Sequence, residues 1–280
     1  MWKPEHRRAA ERSGLRYPSD LSDAEWAIVE PMIPPARRGG RKRSVNVREV
    51  LNGIFYVLWT GCQWKALPKD LPPKSTVHDY LELWNWDGTL ERIHYALYVE
   101  LRERDGREAS PTTAIIDSQS AKGAQKGGLL LDPSGYDAGK KVKGRKRHIL
   151  VDTLGLLLSV VVHPANIQDR DGAYEVLRQA RRLFPFIERI FADGGYRGEK
   201  MALVVARTGS WKLEIVKRSD VANGFEVLPK RWIVERTFAW ISRCRRLTRD
   251  FERYARTTIA FIRLAMIRIM LRRLVVNPSS

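Results

Sequence analysis

Apolar positions along the chain fall into two textures. Up to about residue 110 they recur at helical spacing. Ser22-Asp23-Ala24-Glu25 has the Ser-x-x-Glu form of a capping box. Trp26, Ile28, Val29 and Met32 follow it until Pro34-Pro35 ends the pattern. Val45–Trp59 predicts a strongly apolar helix, and Gly61–Lys74, with Pro68, Pro72 and Pro73, a turn-rich connection. Ser75–Trp84 and Thr89–Arg104 predict two helices parted by Asp87-Gly88, a layout compatible with a helix-turn-helix. Beyond residue 110 short β-type runs appear: Thr112–Ile116, Lys146–Asp152, Leu156–His163, Ile187–Ala192 and Trp211–Val216. Helical patterns cover Tyr174–Phe184, Trp232–Arg246 and Thr257–Leu274. The order of three strands, helix, two strands and two helices predicts a mixed α/β domain with helices on both faces of a sheet.

Charge sharpens this division. The chain has 280 residues and a formal net charge of +18. Residues 1–110 hold 18 basic and 16 acidic residues, whereas residues 111–280 hold 32 and 16. A cationic surplus confined to one part of a chain attracts polyanions, and nucleic acid is the first partner to consider. Two cysteines, Cys62 and Cys244, exclude a disulfide framework or a Cys-rich zinc site. Met1–Arg16 lacks the apolar run of a signal peptide. The longest uncharged stretches, Val50–Trp64 and Thr153–Gln168, fall short of the roughly 20 residues a membrane span needs. The expectation is a soluble, cytoplasmic protein with no membrane partner.

Three acids stand out by position. Asp117 and Asp193 each follow directly on an apolar run, in Ile115-Ile116-Asp117-Ser118 and Phe191-Ala192-Asp193-Gly194-Gly195. Glu235 lies in a helix, where Trp232, Glu235 and Ala239 share a face expected to meet the sheet. Crowded carboxylates repel one another unless a cation joins them. An all-oxygen ligand set suits Mg²⁺ or Mn²⁺, and two such ions serve in-line phosphoryl transfer. Asp152 competes, because it too ends an apolar strand, and spacing alone does not choose between the acids. An Asp at a strand end is often a turn former or a helix cap, and a lone Glu on a helix is usually a surface residue. The surrounding charge supports a shared cleft: Lys122–Arg147 holds eight basic and two acidic residues, and Lys230–Arg256 nine and three. The expected DNA-binding residues are Arg41, Lys42 and Arg43 in the basic linker, then Lys140, Lys141, Lys143, Arg145, Lys146 and Arg147, then Arg231, Arg236, Arg243, Arg245 and Arg246. His163-Pro-Ala-Asn166-Ile-Gln-Asp169 places polar groups at regular spacing after a strand, as a loop with capping residues does.

Four segments carry a resemblance: Ile115-Ile116-Asp117-Ser118-Gln119-Ser120, His163 to Asp169, Phe191 to Gly198, and Arg231 to Trp240. They resemble the insertion-sequence transposases of the IS5 family, within the IS4-like DDE group. Leu21-Ser22-Asp23-Ala24-Glu25-Trp26, Trp64, Leu67-Pro68 and Thr76 to Tyr80 are similar to that family's N-terminal region. The resemblance implies an RNase H-like catalytic core after an N-terminal, mainly helical domain. It implies a metal-binding triad of Asp117, Asp193 and Glu235, choosing these over Asp152, that holds two Mg²⁺ ions, with Mn²⁺ able to substitute, in a nucleoid-associated bacterial protein. It further implies double-stranded DNA as partner, at element ends and target, and a homo-oligomer in the synaptic complex. The expected divisions are a basic tail (1–18), a helical DNA-binding domain (19–108), the catalytic domain (109–256) and a basic amphipathic C-terminal helix (257–280). The group's Tyr, Arg, Glu, Lys constellation is incomplete: Arg231 matches, but Leu228 and Ser242 occupy the Tyr and Lys positions, with Arg243 beside the latter. Two rival readings are a DNA-binding protein without catalysis and a nuclease that cuts without joining.

Overall fold

The structure, a computed structural model, describes residues 11–36, 39, 43–124, 131–216 and 230–276. The chain divides into two compact units. One comprises residues 1–107, 244–247 and 260–280; the other comprises residues 108–243 and 248–259.

The first unit is helical. Helix α1 (Asp23–Val29) starts at the expected capping box, with the Ser22 side chain accepting from Glu25 N–H and Glu25 reaching back to Ser22 N–H. Helix α2 (Val47–Thr60) opens on Asn46, whose side chain accepts from the amides of Arg48 and Glu49. It ends at Gly61, which takes the left-handed conformation (φ 68°) that suits a residue without Cβ. Helices α3 (Lys74–Trp86) and α4 (Thr89–Arg104) follow, and Asp87 in the turn between them accepts from Thr89 N–H. The last helix, α8 (Ala255–Val276), differs from the expected amphipathic helix. From Ala260 it belongs to this unit's core, burying Phe261, Leu264, Met266, Met270 and Leu274. Its arginines are tied inward: Arg263 to Glu91 at 2.9 Å, and Arg268 to the Pro18 carbonyl at 3.0 Å with its guanidinium over Trp59. Their stems cover apolar surface, which lets a charged helix sit in a core.

The second unit is built on one sheet. Among the described residues its strands are β1 (Thr113–Lys122), β2 (Gly135–Asp137), β3 (Val142–Asp152), β4 (Leu157–Pro164), β5 (Arg189–Ala192) and β6 (Lys212–Ile215). The order is β2-β3-β1-β5-β6, with β4 also paired to β3. β3 runs antiparallel to β1, β2 and β4, whereas β1–β5 and β5–β6 are parallel. Helices α5 (Asp169–Leu183), α6 (Glu199–Thr208) and α7 (Arg231–Ser242) accompany it, giving the mixed α/β class expected. β1 is longer than its apolar run. It continues through the polar residues after Ile116 because β3 pairs with it as far as Lys122 opposite Gly144. Asp117 therefore lies inside a strand rather than at its end.

Two contacts fix the helices. At Gly172 on α5, an added Cβ would stand 2.3 Å from the fully buried His148 ring on β3. At Gly155 (φ 79°), in the β3–β4 turn, an added Cβ would stand 2.9 Å from Thr237 Oγ1 on α7. Thr237 donates to the Gly155 carbonyl at 2.7 Å and Arg236 to the Leu154 carbonyl at 2.9 Å, pinning α7 to that turn.

Candidate active site

β1 and β5 lie side by side with Ile115 opposite Phe191. Asp117 and Asp193 each stand two residues beyond that pair, Asp117 within β1 and Asp193 just past the end of β5, and both line one cleft. Asp117 Oδ1 accepts from Ser118 N–H at 2.7 Å, and Asp193 Oδ1 accepts from Gly195 N–H at 2.9 Å. Burial pushes the Asp117 carboxyl up to about 6, and the Asp193 charge adds to this against the opposing pull of Ser118 N–H, Arg231 and Lys140. Negative charge is thus poorly accommodated at this point.

The third acid arrives differently from the expectation. The face of α7 that meets the sheet carries Ile233, Val234, Thr237, Phe238 and Ile241, whose apolar stripe outcompetes the face holding Glu235. Trp232 and Ala239 are exposed, and the Glu235 side chain is 56% exposed. Arg231, at the start of the helix, stands between the acids. Its Nε is 3.2 Å from Glu235 Oε1 and its Nη2 is 3.7 Å from Asp193 Oδ2. A narrow cleft is lined by Asp117, Asp193, Arg231 and Val234.

These carboxylates are oxygen donors of the kind a divalent ion takes. Asp117 and Asp193 fit one, since a cation would relieve the strain that burial places on Asp117. Arg231 occupies the place between Asp193 and Glu235 that a cation would take. Among the described residues no three His, Cys, Asp or Glu side chains stand close enough together to hold a metal ion. Asp152 is a turn former: its Oδ1 accepts from the amides of Leu154 and Leu156, both at 2.9 Å, and it is fully buried.

The expected DNA-binding residues separate by exposure. Lys140 and Lys141 are exposed on the β2–β3 connection and Lys143 at the start of β3, and Arg243 and Arg245 are exposed after α7. Arg145, Lys146 and Arg147 correct the expectation, being 6%, 5% and 1% exposed. Arg145 pairs with Asp250 at 3.4 Å, and Lys146 with Asp137 and Asp169 at 3.4 and 3.0 Å. Arg147 reaches the Arg249 carbonyl, and burial lowers its guanidinium to about 10. Buried side chains of this kind do not reach a phosphate backbone. Arg246 is likewise buried, donating to the Cys62 carbonyl at 3.1 Å. Arg236 is held between Trp232 and Trp240, its guanidinium 4.4 and 4.6 Å from their ring centroids. Arg43 donates to the carbonyls of Pro34 and Pro35. Arg41 and Lys42 in the linker, and Leu228 in the incomplete constellation, lie outside the described residues.

Sequence reasoning missed Tyr196, which is fully buried beside this site, and left Asp169 as a capping residue. The Asp-Gly-Gly-Tyr spacing was the available signal for the first.

Residues 108–270 match the family model of the transposase DDE domain, and residues 21–94 match that of putative transposases of the IS4/5 family. The chain is 32% identical over 116 residues to an insertion element IS402 uncharacterized 16.2 kDa protein from Burkholderia cepacia, covering 39% of this chain and 78% of that protein. It is 29% identical over 138 residues to a putative transposase for insertion sequence element IS402 from the same organism, covering 43% of this chain and 60% of that protein. With a DDE-domain match over more than half its length, on a mixed sheet of RNase H-like type whose neighbouring strands β1 and β5 carry Asp117 and lead into Asp193, the chain belongs to the IS4/IS5-type DDE transposases.

Proposed function

We propose that this transposase binds the terminal inverted repeats of an insertion sequence, cuts the element's ends and joins them to target DNA. The observation that carries the reading is the side-by-side placement of Asp117 and Asp193, with Glu235 facing them across Arg231. Asp117, Asp193 and Glu235 are the residues to hold Mg²⁺, with Mn²⁺ able to substitute and two ions expected. When bound, such ions lower the pKa of an attacking water and stabilise the departing oxygen. In the first reaction water attacks an end phosphodiester and a 3′-oxygen leaves as a hydroxyl. In the second that hydroxyl attacks a target phosphodiester, forming one P–O bond as another breaks.

The chain's own residues contribute orientation and charge. Ser118 N–H fixes one oxygen of Asp117, and Gly195 N–H fixes one of Asp193. Arg231 can exchange its contacts with Asp193 and Glu235 for a substrate phosphate, for which a guanidinium is well shaped. Exposed Lys140, Lys141, Lys143 and Arg243 supply salt-sensitive attraction to the DNA backbone. The helical unit, with its α3–α4 pair, is the proposed end-binding domain, and a homo-oligomer the proposed synaptic form. Among the described residues no helix is long and apolar enough to cross a membrane.

The deciding experiment is cleavage and joining of DNA carrying the element's own ends, with Mg²⁺ or Mn²⁺, for wild type and Asp193→Ala. Joined product that disappears in the variant supports the reading. Tight end binding without cleavage supports binding alone, and cutting without joining supports a nuclease.

A further inference from the structure

Behind the strand acids lies a connected set of polar side chains that the proposed chemistry does not use. Asp169, the first residue of α5, accepts on Oδ1 from Ser118 Oγ at 2.6 Å and lies 3.0 Å from Lys146 Nζ. Lys146 is itself buried and also pairs with Asp137 at 3.4 Å, so its ammonium is held from two sides. Ser118 faces both ways: its hydroxyl engages Asp169 while its amide engages Asp117 Oδ1 at 2.7 Å.

The other oxygen of Asp169 approaches the second acid. A Cβ placed on Gly195 would lie 3.1 Å from Asp193 Oδ1 and 3.5 Å from Asp169 Oδ2, so both carboxylates border the same turn. Tyr196, next in sequence, is fully buried, and its hydroxyl has no hydrogen-bond partner of good geometry. Its charged neighbours are Asp117, Asp169 and Asp193.

We propose that Asp169, acting through Ser118, is a positioning residue that sets the placement of Asp117 and Asp193. Anchored by Lys146, it fixes Ser118 and hence the oxygen of Asp117 that Ser118 N–H holds. Its second oxygen limits how far the Gly194-Gly195 turn, and with it Asp193, can swing. This rests on the reading of Asp117 and Asp193 as metal-binding carboxylates. Partners that orient ligating carboxylates from behind typically contribute about 10–100-fold in metal affinity.

The test is Mn²⁺ binding to the full chain without DNA, read by electron paramagnetic resonance, with a thermal melt of each variant. Wild type, Asp193→Ala, Asp169→Asn and Ser118→Ala are compared. The expected result is loss of binding in Asp193→Ala, at least about tenfold weaker binding in Asp169→Asn, and about threefold weaker binding in Ser118→Ala. The serine variant changes no charge, so its weakening separates positioning from simple loss of a nearby negative charge. Unchanged affinity in a folded Asp169→Asn overturns the proposal. So does a weakened Asp169→Asn alongside a Ser118→Ala that binds as wild type does. If Asp169→Asn fails to fold, Ser118→Ala alone decides. Wild-type binding that is absent, or that survives Asp193→Ala, overturns the carboxylate-pair reading and this proposal with it.

Discussion

Asp117→Asn should make the metal-free protein more stable. The Asp117 carboxyl, ordinarily near 3.8, is pushed up to about 6 by burial and then by Asp193. At about 1.4 kcal/mol per pH unit, that gap corresponds to about 3 kcal/mol by which the folded state disfavours the ionised acid. The sign follows from which state ionises first. Below pH 3.8 the carboxyl is protonated in both states and carries no cost. As pH rises toward 6 only the unfolded chain ionises, so folding loses stability, and the full cost is present above about 6. Asparagine keeps the oxygen that accepts from Ser118 N–H and has no charge to desolvate. The gain at pH 7.5 is therefore at most about 3 kcal/mol, because Asp117 retains some solvent access. At about 2–4 °C per kcal/mol for a domain of this size, the ceiling is about 6–12 °C in melting temperature. The assay is thermal melting of both proteins in EDTA at pH 7.5 and pH 4. Equal melting temperatures at pH 7.5, or a difference that persists undiminished at pH 4, would refute the reasoning. Adding Mg²⁺ should raise the wild type alone and narrow the gap, since an ion that binds only the folded state stabilises it.

Further predictions concern packing, acid sensitivity and DNA contact. Gly172→Ala should cost about 1–3 kcal/mol in urea denaturation, because the new methyl meets the buried His148 ring. Thr237→Val should cost about 1–3 kcal/mol, leaving the Gly155 carbonyl without its 2.7 Å donor. Burial, then His163, depresses His148 to about 3, so its contribution is complete above pH 6.5 and is lost as pH falls toward 3. The urea midpoint should drop between pH 7 and 5, and His148→Gln, which cannot protonate, should flatten that slope. Joint Lys140, Lys141 and Lys143 to Ala substitution should weaken DNA binding and reduce the log–log salt slope by up to about 2.7, or about 0.9 for each phosphate contact. Arg147→Met should leave the slope unchanged, and equal slope changes in both would contradict the division by exposure.

Much was legible in the chain itself. Periodicity and punctuation placed α1 to α4, β3, β4 and the start of the DDE segment, because capping residues, glycine turns and apolar repeats act over a few neighbours. The resemblance pointed to Asp117, Asp193 and Glu235, and the family is now shown. Long-range pairing decided the rest. β1 extends past its apolar run because polar residues of β3 pair with it, a fact no local pattern carries. Asp152 and Asp117 look alike in sequence, yet one caps a turn and the other sits beside Asp193, since only register and strand order say which acids meet. Arg145, Lys146 and Arg147 read as a basic run fit for DNA, but they are buried: Arg145 and Lys146 pair with Asp250, Asp137 and Asp169, and Arg147 donates to the Arg249 carbonyl. Charge counted along a chain does not distinguish a cation facing solvent from one neutralised inside, because burial is a property of the tertiary structure alone.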